Sequence, residues 1–327
     1  MNRSPYPERF IKPQRRKAWI QARGELMRSN PNFNAYQIAR YHAFVMAREI
    51  HYRNKSAWPF VAATQKALQL ATHDIRLSWP DLPSRFDGYR ILHLTDLHLD
   101  HMDDTAQTIA ACANYHGDVD LCVITGDFRD DYHIANEQTV ERLETSLKSL
   151  NTRDGVLCVL GNHDGPDLLE PLEQIGVHVL LNESVSIARG TDLINLTGLD
   201  DVHMFYTQAA TQALNDAPDG FNIALVHSPE VAHIAAESHA LYLTGHTHGG
   251  QICLPGGRAI STALRYNRSY ASGLWRHGEM IGYTSHGAGT SGIPVRLNCP
   301  GEVSVVTLLK GPRSASIDNL VVNLWGN

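Results

Sequence analysis

Tyr89-Arg90-Ile91-Leu92-His93-Leu94-Thr95-Asp96-Leu97-His98 is a short apolar run that opens into an acid and an imidazole one residue apart. A run of this length and composition reads as a central strand covered on both faces. Where extended backbone continues, residues i and i+2 face one way, so Asp96 and His98 are expected to share one space beyond the strand. The device recurs downstream. Leu121-Cys122-Val123-Ile124-Thr125 ends in Gly126-Asp127, and Val156-Leu157-Cys158-Val159-Leu160 ends in Gly161-Asn162-His163-Asp164. Helical stretches at about 104–116 and 135–150 lie between these runs. Strand and helix in alternation predict a mostly parallel or mixed sheet with helices on its faces. Such sheets gather functional groups beyond the carboxyl ends of their strands.

The second half carries two more ends of this kind. Phe221–Val226 runs into His227-Ser228-Pro229, and Leu241-Tyr242-Leu243 runs into Thr244-Gly245-His246-Thr247-His248-Gly249-Gly250. Glycine has no Cβ, so backbone and side chains can crowd around an ion there. Segments near 177–181, 185–189 and 192–198 read as strands joined by turns. The glycine-rich C-terminal portion, with strands near 280–284 and 303–309, reads as a β meander. Asp74–Trp79 alternates as an edge strand should before Pro80 and Pro83 turn the chain. The expected fold class is α/β in its α+β form, a two-sheet β-sandwich flanked by helices. It occupies 74–327 and follows a helical N-terminal extension over 1–73.

That extension is rich in Arg, Lys, Tyr and Trp and poor in Gly. Arg15–Arg28 has the composition of a helix, which Asn30-Pro31-Asn32 breaks; a second is expected from Ala35 to His51 and a third around Trp58 to Ala71. Two readings stand side by side. The helices can pack on the main domain or on a second subunit. Alternatively, Arg9, Lys12, Arg15, Arg16, Lys17, Arg23 and Arg28, interleaved with Phe10, Trp19, Ile20 and Leu26, can lie on an anionic membrane surface or hold a phosphate-rich partner.

With 327 residues, 43% of them hydrophobic and 19% charged, the chain has the make-up of a soluble globular protein with ample core. A net charge of −6 provides no global basic field, so nucleic acid is not favoured as a partner. Cys112, Cys122, Cys158, Cys253 and Cys299 are odd in number and lack C-x-x-C spacing. They read as buried small hydrophobes in a reducing compartment. No run of about 18 apolar residues and no secretory h-region is seen, so the chain is expected to be cytoplasmic. Peripheral contact with the inner face of the membrane through the basic arm is the one membrane option.

Five strand ends thus present Asp96 with His98, Asp127, Asn162 with His163, His227, and His246 with His248. Singly, each is ordinary, since Asp-Gly and Gly-Asn mark turns and a lone His is usually a satisfied core group. Their recurrence at successive strand ends carries the reading. Imidazole with carboxylate suits divalent first-row metals. Seven ligands are too many for one tetrahedral ion and fit two, about 3.5–4 Å apart, the arrangement that activates water against a phosphoryl centre.

In order, the blocks D-x-H, G-D, G-N-H-D, a lone H and G-H-x-H resemble those of the calcineurin-like metallophosphoesterase family, over about 90–250 by motif and 74–310 by texture. The resemblance implies that Asp96, His98 and His248 hold a first metal, that Asp127 bridges, and that Asn162, His227 and His246 complete the second. It also implies that His163 protonates the leaving oxygen or stabilises the transition state, with Asp164 orienting it. Metal-activated hydroxide would attack phosphorus in line. Two divalent ions are expected, manganese first, with iron, zinc, cobalt or nickel as alternatives.

Gly245-His246-Thr247-His248-Gly249-Gly250-Gln251, Gly289-Thr290-Ser291-Gly292-Ile293-Pro294-Val295-Arg296 and Asn298-Cys299-Pro300 are similar to a bacterial branch of that family. The branch includes membrane-associated phosphodiesterases and a pyrophosphatase acting on UDP-2,3-diacylglucosamine in lipid A synthesis. Its members often carry an N-terminal membrane helix, where this chain has its basic arm. His286, in Ser285-His286-Gly287, is a substrate-binding candidate. The expected activity is hydrolysis of a phosphodiester or pyrophosphate in a small-molecule or lipid-linked substrate. A broad-specificity phosphodiesterase, phosphatase or nuclease is the enzymatic alternative. A phosphoesterase fold serving as a binding scaffold is the other, and that role would be expected to have eroded the ligands, none of which is missing.

Overall fold

The apolar runs that end in polar motifs are strands, and they divide between two sheets. The computed structural model describes residues 13–29, 65–131 and 136–320. In chain order the strands are β1 (Leu70–Trp79), β2 (Tyr89–Leu94), β3 (Leu121–Ile124), β4 (Val156–Cys158), β5 (Val177–Val179), β6 (Glu183–Arg189), β7 (Asp192–Gly198) and β8 (Phe221–Leu225). They continue as β9 (Leu241–Thr244), β10 (Cys253–Leu254), β11 (Arg258–Ala259), β12 (Gly273–His277), β13 (Met280–Thr284), β14 (Gly301–Lys310) and β15 (Ser314–Leu320). One sheet runs β15-β1-β14-β2-β3-β4-β5 and the other β12-β13-β9-β8-β7-β6, while β10 and β11 form a small separate hairpin.

The alternation within each strand assigns its residues to two different cores. In β2, Tyr89 and Ile91 point into the layer between the sheets, where they join Leu121, Val123, Leu157, Leu196, Ile223, Leu225, Leu241 and Leu243. Leu92 and Leu94 point the other way, against Ile109 and Cys112 of the helix Thr105–His116 and Leu143 and Leu147 of the helix Asn136–Leu147. The outer face of the second sheet, with Ala224 and Tyr242, is covered by Ala210 and Leu214 of Gln208–Asn215 and by the short helix Ala232–Ala235. Because both faces are covered, the parallel strands β2 to β5 and β7 to β9 read as continuous apolar runs.

Two expectations are corrected. Asp74–Trp79 is no edge: β1 begins at Leu70 and lies inside its sheet, parallel to β14 and antiparallel to β15. Its neighbours come from the far end of the chain, and no local pattern marks so distant a partner. The C-terminal strands are also no meander, because β12 and β13 extend the second sheet whereas β14 and β15 flank β1 in the first.

Arg15–Arg28 falls within a helix, Pro13–Ser29, that lies on the main domain through Trp19, Arg23 and Met27, residues four apart and so on one face. The second helix, residues 58–64 of the third, and Arg9, Phe10 and Lys12 lie outside the described residues. Of the rest of the third, Gln65–Ala67 is helical, but the expected end at Ala71 is corrected, since Leu70 and Ala71 open β1. Among the described residues no helix is long and apolar enough to cross a membrane.

Leu225 is fully buried between the sheets. Leu225→Ala is expected to destabilise the fold by about 2–5 kcal/mol, read from the urea midpoint at unchanged slope; a cost below about 1 kcal/mol would contradict this packing.

Candidate metal centre

Both sheets end on the same rim. Asp96 and His98 follow β2, Asp127 follows β3, and Asn162 and His163 follow β4, all from the seven-stranded sheet; His227 follows β8 and His246 and His248 follow β9 in the other. All eight side chains are buried. The way they are aimed differs from the extended geometry expected of Asp96 and His98. Asp96, His98, Asp127, His246 and His248 have φ of 49°, 40°, 58°, 71° and 51°, in the left-handed region that side chains with a Cβ rarely adopt. Each such residue costs on the order of 1–3 kcal/mol and persists only where its surroundings over-determine it.

Those surroundings are explicit. The loop after β2 is laced to the loop after β3, with Asp96 N–H donating to Gly126 O, Leu97 and His98 N–H to Asp127 O, and Leu99 N–H to Phe128 O. Across the sandwich, His246 N–H donates to Asp96 Oδ2 at 2.9 Å. Glycine permits the approach: a Cβ on Gly245 would stand 2.1 Å from Asp96 Oδ2, and one on Gly161 would stand 2.2 Å from Asp127 Oδ1.

The chemistry follows from which nitrogens are already committed. His98 Nδ1 lies 3.1 Å from the carbonyl oxygen of Arg129 and 3.1 Å from Asp130 Oδ1, so its ring proton belongs on Nδ1 and the Nε2 lone pair faces inward. His227 Nδ1 lies 2.8 Å from Thr125 O, which likewise turns its Nε2 lone pair toward the centre. There His227 Nε2 meets Asn162 Oδ1 at 3.1 Å, Asp127 Oδ2 at 3.3 Å and His246 Nδ1 at 3.3 Å. His98 Nε2 meets His248 Nε2 at 3.1 Å, and His248 Nε2 lies 3.4 Å from Asp96 Oδ1. Around His227 Nε2, acceptors face acceptors in a buried site, which a proton or a cation relieves; at His248 the Arg296 guanidinium, 3.3 Å from Nδ1, leaves the proton of the neutral ring on Nε2, toward His98.

Three groups of donor atoms lie within 4.8 Å of one another: Asp96, His98 and His248; Asp96, Asp127 and His227; and His98, Asp130 and His163. This nitrogen and oxygen set fits a divalent first-row metal centre.

Without metal, protons take the cation's place. Burial alone would lower the pKa of His98, yet its bond to Asp130, with Asp127 and Asp96 nearby, raises it to about 8. His227 is similarly opposed by burial and is pushed up to about 10, chiefly by Asp127. Burial works against ionisation of Asp127, but His227 and His163 hold it well below the usual carboxylate range. Burial, together with the neighbouring rings, His203 first for His246 and His98 first for His248, keeps those two histidines well below 6.5.

Around these donors stand supports that the motifs leave unmarked. Asp164 was expected to orient His163. Its Oδ2 accepts from Asp127 N–H at 2.7 Å and Gly161 N–H at 2.8 Å, and its Oδ1 accepts from Phe128 N–H at 3.0 Å, so it acts on the two loops. His163 Nδ1 lies 3.0 Å from the carbonyl oxygen of Asp130. Asp130 itself, three residues past Asp127, carries no motif. Arg296 is buried and donates to the carbonyls of His248, Gly289, His286, Gly287 and Cys299, stapling the His246–His248 turn to the segment 286–299. The ring of His203 packs 4.2 Å from that of His246, with Nδ1 3.1 Å from Glu230 Oε2. His286 lies behind Gly249, its Nε2 2.7 Å from Ser272 Oγ and its Nδ1 3.4 Å from Glu302 Oε2. Burial opposes its charge, but Glu302 raises its pKa to about 9.

Ligation needs neutral imidazole, so raised histidine pKa values mean that protons compete with metal. Affinity is therefore expected to rise with pH from 6 through 8. At pH 7, Mn2+ binding to the stripped protein should release about one proton or more, measured calorimetrically in buffers of different ionisation heat; a heat independent of buffer would contradict the protonated metal-free state.

Comparison with known proteins agrees with this geometry. Residues 89–250 match the family model described as calcineurin-like phosphoesterase. The metallophosphoesterase YkuE of Bacillus subtilis is 32% identical over 256 residues, which cover 74% of this chain and 85% of that protein. A second B. subtilis metallophosphoesterase, YkoQ, is 29% identical over 68% of this chain and 84% of its own length. Among solved structures, the NAD nucleotidase of Haemophilus influenzae superposes with a TM-score of 0.41 at 15% identity, over 61% of this chain and 45% of that one. The motifs in order, the two-sheet rim that gathers them, the family model over 89–250 and the 32% identity to YkuE lead to one conclusion: the chain belongs to the calcineurin-like metallophosphoesterase family.

Proposed function

We propose that this metal-dependent phosphoester hydrolase uses two divalent ions, manganese first among them, to cleave phosphodiester or pyrophosphate bonds. What supports two ions is the position of Asp127. Its Oδ2 lies 3.7 Å from His98 Nε2 on one side and 3.3 Å from His227 Nε2 on the other, as a carboxylate shared between two sites would. Asp96, His98 and His248 are assigned to the first ion, Asn162, His227 and His246 to the second. When bound, the ions supply an activated water and offset charge on the phosphoryl oxygens.

The chain's own residues do the rest. With its Nδ1 proton given to Asp130 O, His163 presents Nε2 3.9 Å from Asp127 Oδ2, at the edge of the donor cluster. From there it is assigned to pass a proton to the leaving oxygen. Asp164 holds the loops that carry His163 and Asp127 at a fixed separation. His286, a part-exposed cation at neutral pH, is assigned to substrate phosphate. Leu254, Ile260, Tyr266 and Leu297 stand exposed on the segments that leave the His246–His248 turn and Arg296. Their exposure favours an amphipathic substrate, and a lipid-linked pyrophosphate such as UDP-2,3-diacylglucosamine is the test case.

The assay is hydrolysis of bis-p-nitrophenyl phosphate beside p-nitrophenyl phosphate, with Mn2+ added and then stripped. Metal-dependent cleavage of the diester is expected, and the lipid-linked pyrophosphate follows in detergent; cleavage of the monoester alone would reject the diester reading. His163→Ala should bind metal normally while turnover falls by about a hundredfold or more. Turnover equal to the parent's would remove His163 from its role.

A further inference from the structure

The helix Pro13–Ser29 precedes the family-matched segment, yet it reaches the loop that carries Asn162 and His163. Arg23 is 1% exposed. Its Nη2 donates to the carbonyl oxygen of Gly161 at 3.0 Å and to that of Asp164 at 3.1 Å, the residues on either side of Asn162-His163. Its Nη1 donates to Asp200 Oδ1 at 3.0 Å, and Trp19 Nε1 donates to the other oxygen of that carboxylate at 2.8 Å. The guanidinium also lies 3.5 Å over the ring of Phe205. Two carbonyls, a carboxylate and an aromatic face together use the planar fork of arginine, which a lysine cannot reproduce.

What is held matters more than the holding. Residues 160–164 belong to neither helix nor strand, the last ladder bond being Val159 N–H to Ile124 O, so side chains fix them, Arg129 Nε among them through a 3.4 Å bond to His163 O. Two contacts of the site depend on this loop: His163 N–H to Asp127 Oδ1 at 2.9 Å, and Asn162 Oδ1 against His227 Nε2 at 3.1 Å. Asp164 secures the loop through the N–H groups of Asp127, Phe128 and Gly161; Arg23 secures the carbonyl oxygens of Gly161 and Asp164.

The geometry points to Arg23 as a positioning residue for the hydrolysis: by bridging the carbonyls of Gly161 and Asp164, the N-terminal helix sets where Asn162 and His163 stand against the metal centre. This rests on the hydrolase reading above, but its test does not depend on turnover alone. Small displacements of reacting groups cost large factors in rate.

Arg23→Met alone would leave Asp200 buried and uncompensated, so the double variant R23M/D200N, which removes both charges, is the main one. R23K, which keeps a charge opposite Asp200 but loses the fork, is the second. Metal-free full-length wild type and both variants are titrated with Mn2+ by calorimetry, with bis-p-nitrophenyl phosphate turnover measured alongside. Expected for R23M/D200N are a weaker Mn2+ step worsened by about tenfold or more, a kcat lower by about tenfold or more and KM within about threefold of wild type, with R23K falling between. A tight step near wild type would separate this from general unfolding. Wild-type Mn2+ binding and turnover in R23M/D200N would overturn the proposal, as would an unaltered R23K if the double variant fails to fold. Should wild type itself cleave no ester, the hydrolase reading fails, and the Mn2+ titration still decides for or against Arg23.

Discussion

At the rim of the sandwich, the oxygens of Asn162 and Asp127 turn their lone pairs on the buried Nε2 of His227, and the strand ends of both sheets are arranged around that meeting. Asp127 and Asn162 converge on His227, and His98 meets His248 nitrogen to nitrogen, with the outer nitrogens of His98 and His227 already committed to backbone carbonyls. Left without a cation, such an arrangement is costly, because buried polar groups are stable only when paired. The protein nonetheless holds Asp96, His98, Asp127, His246 and His248 in left-handed backbone, and leaves Gly161 and Gly245 without the Cβ that would collide with the two aspartates. Strain of this kind persists where the surrounding structure over-determines it, and it clusters at functional sites.

The sandwich makes the convergence possible. The donors for one centre come from the carboxyl ends of strands in both sheets, so the packing of Ile91, Leu121 and Val123 against Ile223, Leu225 and Leu241 fixes the distance between the two halves of the site. Hydrogen bonds then make that distance rigid: His246 N–H to Asp96, His227 Nδ1 to Thr125 O and His163 N–H to Asp127 each join segments far apart in sequence. Arg296 and Asp164 tie loops mainly by their main chain, and Arg296 also reaches His248 Nδ1 at 3.3 Å, which leaves that ring's Nε2 facing the centre. Activity is thus coupled to core packing, because the loops have no independent means of keeping their register.

Strand ends were legible because each is written locally, an apolar run followed by glycine and a polar group. The sequence reading placed β7 at its observed limits and the other central strands to within a few residues, since burial on both faces leaves an uninterrupted apolar signature. The donor side chains were legible for the same reason, as they recur at the same offset after each strand. What escaped was everything set by distant partners. β15 has no strong apolar pattern of its own and exists because β1 offers it an edge. The left-handed turns at Asp96 and His98 were not legible, since Asp and His tolerate that conformation without requiring it; the bonds to the Gly126 and Asp127 carbonyls hold them there. Asp130, His203, Arg296 and Asp200 act through contacts across loops, and only Arg296 lay in a block singled out beforehand. Arg23 stood in plain view on a helix face with Trp19 and Met27, but an arginine four residues from each reads as surface until its carbonyl partners are known.

The most direct test of the account is the metal content of the folded chain, counted by plasma mass spectrometry after loading with Mn2+ and removal of free metal. Two divalent ions per chain are expected. A folded chain that retains none would show that the convergent donors are stabilised by protons alone, and would contradict it.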